Sequence, residues 1–330
     1  MEQTQKINAV FEGGGVKGTG LVGAVKATEE AGFTFGNVAG TSAGAIVASL
    51  IAAGYNSADL KNILENLDYN TLKDGFMFSP IPLVGPALNI IFLKGIYGGN
   101  YFEQWIGKLL AKKGIKTFKD LIAPEFKDDP RFRYRLQVIA SDITRGKLLV
   151  LPTDARDYGI DPDEVSVARA IRMSMSLPYF YQPVKIKSGT QDCYIVDGGI
   201  LSNFPVWILD DDNQENPSWP TFGYKLVDPK EDRPHRIYGP VTFFAAMFNT
   251  MLEAHDARYI KDQEFMRTIP IQTLGIGTTD FGITLNQKEL LYESGLKAGR
   301  EFFAKWDFEK YKRDIKEMKS TTRKERLQKM

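Results

Sequence analysis

The sequence has little of several features that would assign it to a specialised class. Its 330 residues include a single cysteine, Cys193, so no disulfide can form within the chain, which argues against a disulfide-dependent secreted fold. Lys and Arg number 42 against 41 Asp and Glu, and a net charge of +1 gives no overall attraction for nucleic acid. We therefore expect a globular protein in a reducing compartment, with no nucleic-acid partner.

Long hydrophobic runs are also scarce. The first eight residues are polar and lack the basic start and apolar run of a signal peptide. The longest uncharged stretch, residues 75–93, contains Pro80, Pro82 and Pro86, which makes it a poor membrane-spanning helix. These absences predict no Sec signal, no transmembrane helix and a cytoplasmic location with, at most, peripheral contact with membranes. Secretion by another route stays open.

What the sequence does contain is an alternation of strand-like and helix-like segments. Apolar runs typical of strands occupy residues 7–11, 35–39, 135–140, 147–151, 194–196 and 222–227, and helical spacing occupies residues 19–31, 45–53, 102–112 and 165–175. Such alternation predicts an α/β fold with a mostly parallel sheet covered on both faces. Since no internal repeat or linker interrupts it, we predict one domain over residues 1–330, and interpret residues 71–100 and 210–238 as loop-rich insertions.

The first candidate site is the segment Gly40-Thr41-Ser42-Ala43-Gly44, which fits the pattern G-x-S-x-G. In that pattern small flanking residues permit a sharp turn between a strand and a helix, and the turn projects the serine hydroxyl. The pattern alone also suits an ordinary turn with Ser42 at a helix cap. Its position after a predicted strand and before a small-residue helix favours a nucleophile.

A second glycine motif, Gly13-Gly14-Gly15-Val16-Lys17-Gly18, follows the first predicted strand, so its backbone N–H groups suit an anion or an oxyanion. Gly13, Gly15 and Gly18 also match the dinucleotide pattern G-x-G-x-x-G. That pattern needs an acidic residue about 20 positions later, and residues 37–42 contain none. A phosphate-binding P-loop fails as well, because Thr19 stands where its lysine belongs.

The third candidate is Asp197, which ends a strand-like run before Gly198 and Gly199. Parallel sheets present catalytic side chains at such ends, although an Asp-Gly pair taken alone favours an ordinary turn. Ser42 needs a base, and the order Ser42, Asp197, then His235 or His255 is that of α/β-hydrolase triads. Those enzymes carry the serine after several strands, however, and both histidines lie in segments with ordinary explanations.

Together the three motifs resemble the patatin-like phospholipase family, which has a G-G-G-x-[RK]-G loop, then G-T-S-A-G and much later D-G-G. This sequence has them in that order at residues 13–18, 40–44 and 197–199, with further family-like segments at residues 116–121, 140–146, 168–174 and 203–205. The resemblance covers residues 7–205 well and extends more loosely to about residue 299. Residues 206–330 would then complete the fold.

The resemblance implies a three-layer α/β/α sandwich and a lipid acyl hydrolase that uses no metal or cofactor. Ser42 would be the nucleophile and Asp197 its base. In the glycine loop, Gly14 and Gly15 would supply oxyanion N–H groups, Gly13 and Gly18 would shape the turn, and Lys17 would fill the family's basic position. Met175 is bulkier than the family's usual residue, so we expect a reshaped acyl pocket.

Two other hypotheses stay open: a His-dependent esterase built on Ser42, Asp197 and His235 or His255, and a lipid-binding module that has lost turnover. The substrate is expected to be a lipid or a membrane surface, and the sequence identifies no activating protein partner. Apolar residues 76–93 and 240–252 suit an acyl pocket or lid and equally a plain core. The basic tail, residues 305–330, suits a docked final helix better than a membrane-binding one.

Overall fold

The structure is a computed structural model. It describes residues 5–68, 71, 74, 93–210, 219–228, 237–239, 243, 246–247, 250–251 and 265–313. Both histidines, most of the two apolar segments at 76–93 and 240–252, and residues 314–330 of the basic tail therefore lie outside the described residues.

An eight-stranded sheet forms the centre of the molecule, and its main path runs β10-β9-β1-β2-β4-β8-β7, with β5 paired to β4. Strands β10, β9, β1, β2 and β4 run parallel, whereas β5, β8 and β7 are antiparallel to their neighbours. A separate short pair joins β3 to β6. The strands are β1 Gln5–Phe11, β2 Phe33–Thr41, β3 Gly95–Tyr97, β4 Leu136–Asp142, β5 Lys147–Leu151, β6 Tyr179–Tyr181, β7 Val184–Ser188, β8 Gln191–Asp197, β9 Thr221–Val227 and β10 Thr268–Gln272.

Six α-helices lie wholly within the described part of the chain. They are α1 Gly18–Glu30, α2 Ala43–Ala52, α3 Ser57–Glu65, α4 Asn100–Lys112, α5 Val167–Ser174 and α6 Leu285–Phe303. Helices α3 and α6 each begin with a capping box, Asn56 with Asp59 and Thr284 with Gln287, in which side chains satisfy the free N–H groups of the first turn. Helix α2 is buried along its whole length, which explains its composition of small and aliphatic residues.

The central strands separate two cores, because successive side chains of a strand point to opposite faces. Ile7, Ala9 and Phe11 of β1 belong to the larger core, which the helices cover. Val10 belongs to a smaller core on the other face, together with residues of the short 3-10 helix Val206–Leu209. The predicted fold class, a three-layer α/β/α sandwich with a mostly parallel sheet, is confirmed.

Glycines bring α1 and α6 into close contact. A Cβ added to Gly23 would stand 1.9 Å from the carbonyl oxygen of Tyr292, and one added to Gly295 would stand 1.8 Å from that of Gly20. Only glycine permits backbones to approach this closely. Helix α6 is therefore locked against the helix that follows the glycine loop, so a segment far along the chain supports the start of the fold.

Candidate active site

Ser42 lies on a strained turn between β2 and α2. Its φ of 51° is in the left-handed region, which costs a non-glycine residue on the order of 1–3 kcal/mol. The flanking glycines are required by space: a Cβ on Gly40 would stand 2.3 Å from the Gly44 carbonyl oxygen, and one on Gly44 would stand 2.2 Å from that of Phe11. The G-x-S-x-G pattern thus folds as a turn that places the Ser42 side chain in a cleft, where it is partly exposed.

Asp197 ends β8 and faces the same cleft, although it is only 3% exposed. The Gly199 N–H donates to Asp197 Oδ1 at 2.8 Å, and the Asp197 N–H donates to the Ser176 carbonyl oxygen at 2.9 Å. A Cβ on Gly198 would stand 2.4 Å from the carbonyl oxygen of Ile139, so glycine is required for the chain to turn here. The D-G-G motif therefore fixes one carboxylate in a buried position.

Burial raises the pKa of Asp197 to about 7, while hydrogen bonds from the Gly199 N–H and the Ser42 hydroxyl act in the opposite direction. A carboxylate with a pKa near neutrality is a far better proton acceptor than an ordinary aspartate, and it is still ionised in a large fraction of molecules at neutral pH. The Ser42 hydroxyl faces two acceptors, this carboxylate and Met175 Sδ, which lies 3.5 Å from Ser42 Oγ.

The raised pKa of Asp197 predicts how the free energy of unfolding depends on pH. Relative to an ordinary aspartate near 3.9, protonated Asp197 stabilises the fold, and this contribution is lost as the pH rises from about 4 through about 7. Asp197→Asn carries no charge at any pH. We therefore expect the free energy of unfolding of this variant to exceed that of the parent increasingly over this range, approaching about 4 kcal/mol above it. Urea unfolding at pH 4.5 and pH 8 measures the difference.

The matched control is Asp192→Asn, which removes a carboxylate at the exposed start of the same strand. A stability difference between Asp197→Asn and the parent that does not change with pH would contradict the burial argument.

The turn at residues 174–176, at the end of α5, contacts both candidate residues. The Ser42 N–H donates to the hydroxyl of Ser174 at 2.8 Å, Met175 Sδ faces the Ser42 hydroxyl, and the Ser176 carbonyl accepts from Asp197. Ser174 and Ser176 are fully buried. The sequence analysis expected Met175 in the acyl pocket, but it missed the contacts of Ser42 with Ser174 and Met175, which join residues more than 130 positions apart.

Arg172 supports that turn from inside the protein. It is 3% exposed, and its guanidinium donates to Ser176 Oγ, to the Gly98 carbonyl at 2.6 Å and to the Gln182 carbonyl at 2.8 Å. Burial lowers the pKa of Arg172 to about 10, so the group stays charged at neutral pH. This buried cation links the turn at residues 174–176 to the ends of β3 and β6, and the sequence analysis gave it no role although it lies in the family-like segment 168–174.

Some N–H groups of the glycine loop next to Ser42 bond to other segments of the fold, and others belong to glycines that line the cleft and have no such bond within the described residues. The Gly13 N–H donates to the Asn203 carbonyl and the Val16 N–H donates to the Thr278 carbonyl, each at 3.2 Å. Within the described residues, the N–H groups of Gly14 and Gly15 have no hydrogen-bond partner, and both glycines line the cleft. Gly15 has a φ of 54°. Two backbone donors therefore stand beside Ser42, while Gly13 is held in place.

Glu12, just before the glycines, makes buried contacts that fix the start of the glycine loop. It is 2% exposed, accepts from the Leu226 N–H, and lies 3.4 Å from Lys225 Nζ. Asn203 Nδ2 donates both to Glu12 Oε1 at 3.3 Å and to the Gly13 carbonyl at 3.2 Å. Sequence reasoning missed Glu12, although an acid at the end of a buried apolar run is a signal that could have indicated it.

The other loop residues of the sequence prediction lie differently. Gly18 lines the cleft and packs against Ala43, whose Cβ would be 3.3 Å from a Cβ on Gly18. Lys17 does not line the cleft, and its Cε lies 3.6 Å from where a Cβ on Gly14 would stand. The stem of Lys17 therefore covers the glycine loop.

The cleft is mostly apolar, and its polar lining residues besides Ser42, Asp197 and the glycine loop include Asn203, Thr278 and Thr279. Its other lining residues include Ile46 and Val47 of α2, Leu64 and Leu67 at the end of α3, and Met175, Leu177, Phe180, Tyr181 and Phe281. Among the described lining residues, Asp197 is the one carboxylic acid, and none is histidine, lysine or arginine. Such a wall suits a hydrocarbon chain and disfavours a charged group.

Two features are absent from the described part of the chain. The described residues contain no group of three or more His, Cys, Asp and Glu side chains arranged to hold a metal ion. Within the same part of the chain, every helix is too short or too polar to cross a membrane.

Residues 9–210 match the family model described as patatin-like phospholipase. The chain is also 40% identical over 304 residues to the uncharacterized protein YqhO of Bacillus subtilis (strain 168), a match that covers 92% of this chain and 99% of that protein. The uncharacterized protein R571 of Acanthamoeba polyphaga mimivirus is 24% identical over 314 residues, which cover 91% of this chain and 95% of R571.

Two solved structures share the fold. VipD from Legionella pneumophila superposes with a TM-score of 0.55 at 20% identity, covering 92% of this chain and 67% of VipD. Full-length ExoU of the type III secretion system of Pseudomonas aeruginosa, in complex with full-length SpcU, superposes with a TM-score of 0.52 at 17% identity, covering 92% of this chain and 53% of the matched chain. At these identities the superpositions describe the fold alone.

Proposed function

Because the chain belongs to the patatin-like phospholipase family, we propose that it hydrolyses acyl esters of lipids with Ser42 as the nucleophile and Asp197 as its base. The observation that carries this proposal is the pairing of a serine on a strained turn with a buried carboxylate whose pKa is about 7, in one apolar cleft. A serine hydroxyl needs such an adjacent acceptor before it becomes a useful nucleophile.

The reaction would begin when an acyl chain enters the apolar cleft and brings its ester carbonyl to Ser42. Asp197 accepts the Ser42 proton as Oγ attacks the carbonyl carbon, and the Gly14 and Gly15 N–H groups donate to the oxygen that becomes negative. Collapse of this intermediate expels the alcohol, which takes the proton from Asp197. Water then attacks the acyl-enzyme with Asp197 again as the base, releasing a fatty acid and free Ser42.

The glycine loop has to supply much of the rate enhancement, since a carboxylate is a weak base even with a raised pKa. Each well-placed oxyanion donor contributes on the order of 3 kcal/mol to the barrier reduction. Donors held by the fold before the substrate arrives cost no reorganisation, and the loop is held by Asn203 on one side and Thr278 on the other.

A fluorophosphonate probe tests whether the chain is a serine hydrolase at all. The pure protein is expected to be labelled, with mass spectrometry locating the adduct on Ser42, because the probe reacts only with an activated serine. A panel of a diacylphospholipid, a lysophospholipid and a triacylglycerol then identifies which ester is cleaved, with fatty-acid release as the readout.

The alternatives predict different results in the same experiment. A lipid-binding module without turnover would bind lipid but take no label at Ser42. A His-dependent esterase would take the label, so the base has to be tested separately by substitution.

A further inference from the structure

Two phenylalanine rings stack across the cleft. The ring centroids of Phe180 and Phe281 are 4.7 Å apart with an interplanar angle of 17°, and both residues line the cleft beside Ser42. Phe180 belongs to β6. Phe281 lies in the loop between β10 and α6, beyond the segment 9–210 that matches the family model. The wall of the cleft is thus completed by a part of the chain for which no motif predicted a role.

The two rings are held in different ways. Phe180 sits in an aromatic cluster, 4.8 Å from the ring of Tyr97 and 4.9 Å from that of Tyr181, on the paired strands β3 and β6. Phe281 is carried by an irregular loop and not by a strand: its N–H donates to the Thr279 carbonyl at 2.8 Å, the Gly277 N–H donates to the Asp280 side chain at 2.7 Å, and one longer-range bond joins the loop to Val16. The Phe281 side of the pair is therefore the one placed to move.

The space beside Ser42 is small while the rings are stacked. The cavity volume is about 50 Å³, which is room for on the order of four water molecules. A short acyl group fits such a space, whereas a chain of ten or more carbons needs a longer path along the apolar wall. Each methylene group of the acyl chain that is buried along this wall raises the binding affinity on the order of fourfold. A long chain therefore gains enough affinity to favour separation of the two rings.

We propose that Phe281, stacked on Phe180, determines the acyl-chain selectivity of this cleft: short chains bind with the rings together, and long chains bind only after Phe281 has moved aside. The proposal rests on the proposed lipid acyl hydrolase function. The Thr278 carbonyl, in the loop that carries Phe281, accepts a hydrogen bond from the Val16 N–H at 3.2 Å. A long chain that displaces this loop therefore also perturbs the glycine loop.

The test compares p-nitrophenyl butyrate with p-nitrophenyl dodecanoate in the parent protein, Phe281→Ala and Phe281→Leu. Removal of the ring abolishes the cost of separation for the long chain only. The ratio of kcat/KM for dodecanoate to that for butyrate is expected to rise on the order of tenfold in Phe281→Ala, mainly through KM, with a smaller rise in Phe281→Leu. Tyr101→Ala, an exposed aromatic on α4 away from the cleft, is the matched control and should leave the ratio unchanged.

A second measurement needs no turnover. Binding of dodecanoate below its critical micelle concentration, and of butyrate, is measured by calorimetry in Ser42→Ala and in Ser42→Ala/Phe281→Ala. The double variant is expected to bind dodecanoate more tightly and butyrate no better. Equal changes for both chain lengths, or none, would overturn the selectivity role. If the parent cleaves no ester, the proposed function fails while the binding result still decides on Phe281.

Discussion

Replacing Ser42 by alanine is expected to abolish ester hydrolysis while leaving the protein folded. The variant loses the oxygen that would receive the acyl group, and loss of a serine nucleophile in comparable enzymes lowers kcat by on the order of 10⁶. The turn should survive, since alanine tolerates the φ of 51° about as well as serine does, and the N–H that donates to Ser174 Oγ is retained. Hydrolysis of a chromogenic ester and thermal unfolding by circular dichroism measure the two halves of this prediction.

The matched control is Ser49→Ala, a substitution of the same type on helix α2. Ser49 is fully buried and its hydroxyl donates to the Ile46 carbonyl at 2.8 Å, so its loss should cost some stability and little activity. Turnover retained by folded Ser42→Ala, or an equally inactive Ser49→Ala, would contradict the assignment of Ser42 as the nucleophile.

The sequence predicted the motifs well because each one contains glycines that the backbone of the fold requires. Gly40 and Gly44 are needed by contacts within a few residues of the turn or with the adjacent strand β1, and Gly15 by its own left-handed φ. Strands and helices next to these motifs were therefore predicted nearly at their observed bounds. Helix α1, for example, covers residues 19–31 in the sequence prediction and Gly18–Glu30 in the structure.

The elements that sequence reasoning missed depend on contacts made far along the chain. Helix α6 is amphipathic but was not predicted, and its position is set by the glycine contacts with α1. The short strands β3 and β6 owe their pairing to each other, across more than 80 positions. Their three-residue length gives no periodicity from which a strand could be predicted.

The candidate site also combines residues that the sequence predicted with residues that it missed. Ser42 and Asp197 were predicted to act together, and the structure brings both into one cleft. The Ser174 hydroxyl that holds the Ser42 turn, the Glu12 carboxylate behind the glycine loop and the Phe281 wall were not predicted. Each becomes relevant only when the fold places it against a motif residue.

The glycine loop also shows why a motif does not assign roles to its members. Five residues were expected to form the oxyanion site, yet Gly13 uses its N–H to bind Asn203 and Lys17 does not line the cleft. Which N–H groups stay unpaired depends on the carbonyls of Asn203 and Thr278, contributed by segments 190 and more than 260 positions away. We therefore retain Gly14 and Gly15 as the proposed donors.

The largest difference in kcat is expected between Asp197→Asn and the two histidine substitutions. Asparagine keeps the shape of the side chain, and its amide oxygen can still accept from the Gly199 N–H, but it cannot take a proton from Ser42. Under the Ser42-Asp197 mechanism kcat should fall by about four orders of magnitude. His235→Ala and His255→Ala, made singly and together, should each cost less than about tenfold, since neither would touch the reacting atoms.

The pH dependence of kcat adds a second signature of the same base. Activity of the parent should rise with pH as Asp197 ionises and level off above a midpoint near its pKa of about 7, because only the carboxylate accepts the Ser42 proton. The residual activity of Asp197→Asn should lack this rise. A neutral histidine would give a similar midpoint, so the profile is decisive only when it is measured on the substituted proteins. If folded His235→Ala or His255→Ala protein loses both kcat and the rise while Asp197→Asn retains part of each, the base is a histidine oriented by the carboxylate, and the dyad is wrong.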